Sequence, residues 1–243
     1  IYNRLLSSAE IQRLHLDMST RLVSLLPSYE GMAMDGLVFH LDSNNVRSYP
    51  GGGDQWTDLA NGIVMTAQGG GLPLYSNIGH STVKAFGFNG KGYFLSDGNY
   101  DRVDMGGDTT LIIWYYNEPL SARRIIFQKD YEEGNSQSSA EKEIAVTWET
   151  SGSWSVYSMY PYDESNTGKH TSNAWNMVAM RMTSGHTTTQ REYAKSLNGA
   201  PFTEAILVRG STTPVTPVAP SANIRVGHGY AEGLDEGYIA QVM

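Results

Sequence analysis

The strongest constraint on this chain is a period of two. In GLVFHLD, Leu37, Phe39 and Leu41 fall on one side of an extended backbone and Val38, His40 and Asp42 on the other. EIAVTWE repeats the pattern, with Ile144, Val146 and Trp148 alternating with Glu143, Ala145, Thr147 and Glu149, as in a half-buried antiparallel strand. NMVAMRM places Val178, Met180 and Met182 on one side, whereas TTLIIWYYN is apolar on both faces and reads as a central strand. KAFGFNG, GYFLSD, RRIIFQK, SWSVYSM, REYAKSL, AILV, NIRVG and GYIAQVM extend the series, and glycine and asparagine turns separate them. Short strands at this density predict an all-β sandwich of two antiparallel sheets. No strand–helix–strand alternation occurs, which excludes a parallel doubly wound sheet.

One segment has a different period. Ser7 and Glu10 form an S-x-x-E capping box, in which each side chain satisfies an orphaned backbone donor at a helix start. Ile11, Leu14, Met18, Leu22 and Leu25 then recur at helical spacing until Pro27, predicting one amphipathic helix over 8–25. Gln12, Arg13, Asp17 and Arg21 make its polar face.

Composition narrows the partners. The net charge is -8, so no excess of Lys and Arg displaces counterions from nucleic acid or an anionic membrane, and both are excluded as main partners. The longest apolar run, Leu111 to Tyr116, is far below the roughly 20 residues of a membrane span. The chain contains no cysteine, so neither disulfides nor Cys-ligated zinc hold it together.

Few residues suggest chemistry. GGGDQW and GHGYAEG are glycine loops, but neither lies between a strand and a helix as a phosphate cradle requires. The prolines of STTPVTPVAPSA read as an extended surface loop. There is no G-x-S-x-G elbow, and His15, His40, His80, His170, His186 and His228 lack ligand spacing. No enzyme is expected. DGNYDRVDMGGD gathers Asp97, Asn99, Asp101, Asp104 and Asp108, oxygen ligands of the type calcium prefers, although they are more simply an acidic turn-rich loop. Trp154, Tyr157, Tyr160 and Tyr162 of WSVYSMYPY, with Trp148 just before them, offer flat faces to sugar rings, or else fill a core or a subunit contact.

From Gly36 onward, GLVFHLDSNNVRSYPGGGDQWTDLANG, KAFGFNGKGYF, TTLIIWYY, the W-x-x-V-A stretch Trp175 to Ala179, the Asn198-Gly199 turn and NIRVGHG follow one another in a familiar order. The chain resembles laminin-G-like, concanavalin-like jelly-roll domains of the type found in phage virion structural proteins. The resemblance implies a jelly-roll domain over 36–243, preceded by a linker over 27–35 and, over 1–26, by a strand end and helix resembling the close of such a domain. It also admits glycosidases, but their closely spaced Glu-x-Asp-x-x-Glu is missing; Glu141, Glu143 and Glu149 of EKEIAVTWE are more simply a solvated strand face. The family's closing signature is split here. Gly237 to Met243 joined to Ile1 to Ile11 reads GYIAQVMIYNRLLSSAEI. Two arrangements follow: a window on tandem jelly rolls, or an opening strand and helix that complete a sandwich, the chain's own or a neighbour's. The expected function is a non-enzymatic virion surface subunit, a capsid decoration or fibre-like protein, contacting other virion subunits or copies of itself. The alternative is a carbohydrate-binding adhesion module, viral or secreted, that takes host-surface glycans.

Overall fold

The computed structural model describes residues 1–21, 35–70, 73–78, 83–88, 92–97, 103, 108–117, 124–130, 142–148, 154–157, 171, 173–182, 190–208, 223–227 and 237–243. The helix α1 spans Ser8–Arg21. The strands are β1 (Leu41–Asp42), β2 (Gln55–Thr57), β3 (Val64–Gly69), β4 (Leu74–Asn77), β5 (Lys84–Phe88), β6 (Gly92–Ser96), β7 (Thr109–Asn117) and β8 (Arg124–Asp130). They continue as β9 (Lys142–Trp148), β10 (Trp154–Tyr157), β11 (Ala174–Met182), β12 (Gln190–Leu197), β13 (Thr203–Val208), β14 (Ile224–Val226) and β15 (Gly237–Val242).

These strands build two antiparallel sheets, and the chain is an all-β jelly-roll sandwich of the concanavalin-like kind with one N-terminal helix. One sheet runs β13-β12-β11-β7-β15-β5-β4, with β1 also paired to β15; the other runs β10-β9-β8-β14-β6-β3-β2. The two inner faces supply the core. Phe86, Leu111, Ile113, Tyr115, Val178, Met180 and Ile239 of the first sheet meet Trp56, Met65, Phe94, Phe127, Val146 and Val226 of the second.

The both-faced apolarity of TTLIIWYYN now has its cause. Leu111, Ile113 and Tyr115 face the sandwich core, while Ile112 and Trp114 face the other way with Met177 and Ala179 of the neighbouring β11. That outer face is covered by Tyr2, Leu6, Ile11 and Leu14, all buried. At about 1.5–3 kcal/mol for each large side chain removed from water, this second cluster is a substantial part of the fold. His15 stacks on Trp114 with ring centroids 5.5 Å apart, and burial lowers its pKa. The Asn198-Gly199 turn packs beneath it: a Cβ on Gly199, whose φ is +73°, would sit 2.9 Å from the His15 ring, so only glycine fits.

The capping box forms as the sequence predicts. The Ser7 and Glu10 amides bond to the Glu10 carboxylate and the Ser7 hydroxyl at 2.8 and 3.2 Å. Residues 22–34, which include the expected last turn of the helix, lie outside the described residues. GLVFHLD departs from a simple strand: only Leu41–Asp42 joins a ladder, and His40 and Asp42 are buried as well. The His40 backbone N–H instead donates to the Asp58 carboxylate, and its ring meets the Gln241 amide, so polar partners occupy the face that alternation leaves for water.

Candidate functional site

Five strands of the first sheet carry a transverse row of partners. Leu74 lies opposite Gly87, Gly87 opposite Tyr238, Tyr238 opposite Tyr116, and Tyr116 opposite Trp175. Residues directly opposite share one face of a sheet. This is the outer face that the helix covers farther along, and Trp175 packs against both the cluster under the helix and the one beside it.

The row is an aromatic platform. Tyr116 meets Trp175 edge to face with centroids 5.7 Å apart, and Tyr238 at 6.1 Å. All three rings are only partly buried, resting on Ile78, Val83, Ala85 and Ala240. Leu74 continues the row and is 71% exposed. Gly87 makes the geometry possible: a Cβ there would lie 2.6 Å from the Tyr238 ring, so the absent side chain lets that ring lie across the sheet. The chain entering β11 is held by the buried Asn176, whose amide donates to Thr171 O and Ala174 O at 3.0 Å each and accepts from the Thr171 N–H at 3.1 Å. Trp175 is therefore set between two fixed backbone points. Thr171 and Asn173 are exposed on this turn, just ahead of Trp175 in sequence.

A cleft lies at the edge strand β2. It is an open cleft of about 340 Å³ lined by Val46, Arg47, Asp54, Gln55, Thr57 and the Gly52-Gly53 backbone. Among the described residues the Arg47 and Asp54 side chains have no hydrogen-bond or ion-pair partner. The loop is shaped from within, by Ser48 Oγ donating to Thr57 O at 2.6 Å and Tyr49 OH to Gly53 O at 3.1 Å.

The residues singled out from the sequence fare unevenly. Trp148 closes β9 and Trp154 opens β10, directly opposite one another, with Tyr157 opposite Ala145 in the same edge hairpin of the second sheet. Tyr160 and Tyr162 lie outside the described residues. Asp97 follows β6 and Asp108 precedes β7, both exposed, while Asn99, Asp101 and Asp104 lie outside the described residues. Among the described residues no three His, Asp or Glu side chains are grouped to hold a metal ion. Glu143 lies in β9; Glu141, Glu149, the proline-rich loop and four of the histidines fall outside the described residues. The platform of Tyr116, Trp175 and Tyr238 was not legible as a site, because its members come from three strands distant in sequence. Their common position as aromatics near strand ends is the signal that points to them.

No protein-family pattern matches the chain, and no curated protein matches it. Solved structures do. A Trypanosoma rangeli sialidase in complex with the inhibitor DANA superposes with a TM-score of 0.55 at 13% identity, over 96% of this chain and 35% of the sialidase. The binding domain of botulinum neurotoxin DC in complex with SialylT superposes at 0.52 and 10% identity, over 86% of this chain and 47% of that one. The same domain in complex with rat synaptotagmin II gives 0.52 at 10%, over 84% and 46%. The likeness is one of fold. The chain spans between a third and a half of the length of these neighbours.

Proposed function

We propose that this chain is a carbohydrate-binding module that seats a glycan on the aromatic row of Trp175, Tyr116 and Tyr238. The observation that carries this reading is the platform: three partly buried rings in register across three adjacent strands, with the Tyr238 ring lying over Gly87 and the exposed Thr171 and Asn173 on the turn that enters β11. The apolar C–H face of a sugar ring stacks on such rings while its hydroxyls reach the polar rim. Two further points support it. A toxin binding domain of similar fold was solved with SialylT, and the chain's charge of -8 directs it away from polyanions. The reading is one of binding without catalysis; the chain spans about a third of the sialidase, and that enzyme's activity is not carried over. The platform gives no support specific to a virion coat role, so adhesion is the reading adopted, on a cell surface or a particle.

A glycan array probed with the soluble chain tests this. Binding is expected to at least one glycan, and Tyr238→Ala and Trp175→Phe should weaken it about tenfold or more, the equivalent of one lost favourable contact, with the fold intact by circular dichroism. Trp154→Ala at the β9–β10 hairpin and Asp54→Ala in the cleft should leave it unchanged. Loss with either of those two, and not with the platform variants, would overturn the assignment.

A further inference from the structure

Arg225 sits at the middle of the second sheet. β14 is the central strand of the seven, and the residues on either side of Arg225, Ile224 and Val226, are buried in the sandwich core. Alternation therefore sends the Arg225 side chain to the outer face. The strand is pinned at both ends: the Ile224 amide donates to Ser96 Oγ at 2.9 Å, and the Gly227 amide donates to Ile126 O at 2.9 Å. A side chain rooted there starts from a fixed point.

Although it faces outward, Arg225 is only 6% exposed. Its Nε is buried with no hydrogen-bond partner, and among the described residues no carboxylate pairs with the guanidinium. The residues directly opposite it, Leu95 on β6 and Gln128 on β8, carry no charge. The guanidinium carbon lies 5.7 Å from the centre of the Tyr93 ring. A ring face attracts the charge but leaves most of the guanidinium N–H donors unmet. A cation taken out of water is ordinarily compensated by a carboxylate, because nothing else replaces both its hydration and its hydrogen bonds. The centre of a rigid sheet thus holds a charge that the described residues around it do not neutralise.

The surroundings define what would neutralise it. The side chain leans towards β6, where Tyr93 and Leu95 are half-buried and offer an apolar floor. Gln68 and Thr66 of β3, directly opposite Tyr93 and Leu95, place neutral polar side chains farther along the same face, and Gln68 is exposed. A single planar fork matches a single carboxylate in both charge and geometry. We propose that Arg225 anchors a carboxylate site on the outer face of the second sheet, whose ligand is a small organic acid with an apolar body resting on Tyr93 and Leu95. The aromatic row lies on the outer face of the other sheet, so the two sites bind independently.

Benzoate and its neutral counterpart benzamide, each titrated into the whole chain, provide the test. Benzoate should move the Arg225 Nε–H resonance and the Tyr93, Leu95 and Arg225 backbone amides in nuclear magnetic resonance spectra, and raise the melting temperature as its concentration rises. Benzamide should do neither. Arg225→Met keeps the unbranched stem and should weaken benzoate binding about tenfold to a hundredfold, while Trp175→Phe should leave it unchanged. A buried guanidinium without a carboxylate partner also predicts that ligand-free Arg225→Met has an equal or higher urea midpoint than the parent chain. No response to benzoate, an equal response to benzamide, or tighter binding of inorganic phosphate than of benzoate overturns the proposal. A lowered midpoint or a failure of Arg225→Met to fold overturns it equally, since the guanidinium would then already have its partner within the chain.

Discussion

The Thr110 hydroxyl bridges two backbone groups more than a hundred residues away in sequence, accepting from the Leu6 amide at 3.0 Å and donating to the Arg4 carbonyl at 2.8 Å. Thr110 is fully buried. Thr110→Val keeps the shape and removes both bonds, leaving the buried Leu6 amide and the partly buried Arg4 carbonyl unpaired. The expected cost is about 2–4 kcal/mol, read as a lower urea midpoint with an unchanged slope.

The neighbouring Tyr2 gives the opposite sign. Its hydroxyl is buried with no hydrogen-bond partner among the described residues, and burial raises its pKa well above the ordinary value. Tyr2→Phe removes a desolvated polar atom and keeps the ring. It should leave stability unchanged or raise it by about 1 kcal/mol, whereas Tyr2→Ala should lower it by about 3–5 kcal/mol through the cavity left behind. Calorimetry of the two variants separates the outcomes.

Glu10 makes the start of the helix sensitive to acid. The Arg4 guanidinium, 2.6 Å away, and the Ser7 donors hold its carboxyl down from 4.5 to about 2. A carboxyl with a depressed pKa stabilises the fold fully above its unfolded value, and this contribution is lost as pH falls from about 4.5 towards 2. Because both side chains are about a third exposed, solvent reduces the contribution to about 1 kcal/mol. Glu10→Gln should flatten the pH dependence of stability over that window; an unchanged profile would show that the pair does not titrate with folding.

Leu14 reports on the helix seat. It is buried against the outer face of the first sheet, beside Ile112, Trp114 and Met177. Leu14→Ala should cost about 2–5 kcal/mol, and hydrogen exchange at the Tyr2 and Leu6 amides should accelerate before that at the central amides of β7.

The fold was legible because its alternation is local. Ile144 and Val146 announce one face of a strand, and Ser7 with Glu10 announces a helix start, each within a few residues. The second burial layer was less so: Met177 and Ala179 fall on the side of NMVAMRM opposite Val178 and Met180, and only the tertiary position of α1 explains their burial. The opening residues add a pairing that no local pattern encodes, Tyr2 bridging Thr110 and Leu37. The site was hidden for the same reason that Leu6 and Thr110 are strangers in sequence. Tyr116, Trp175 and Tyr238 become neighbours only through strand order β11-β7-β15, which no local pattern encodes.

The aromatic row is tested most directly by nuclear magnetic resonance titration of the chain with an oligosaccharide that binds on the array. Shift changes concentrated at Tyr116, Trp175, Tyr238 and Gly87, with ring resonances of the three aromatics moving together, are the predicted result. Changes concentrated at Val46 to Thr57 or Trp148 to Tyr157, with the row unmoved, would contradict it.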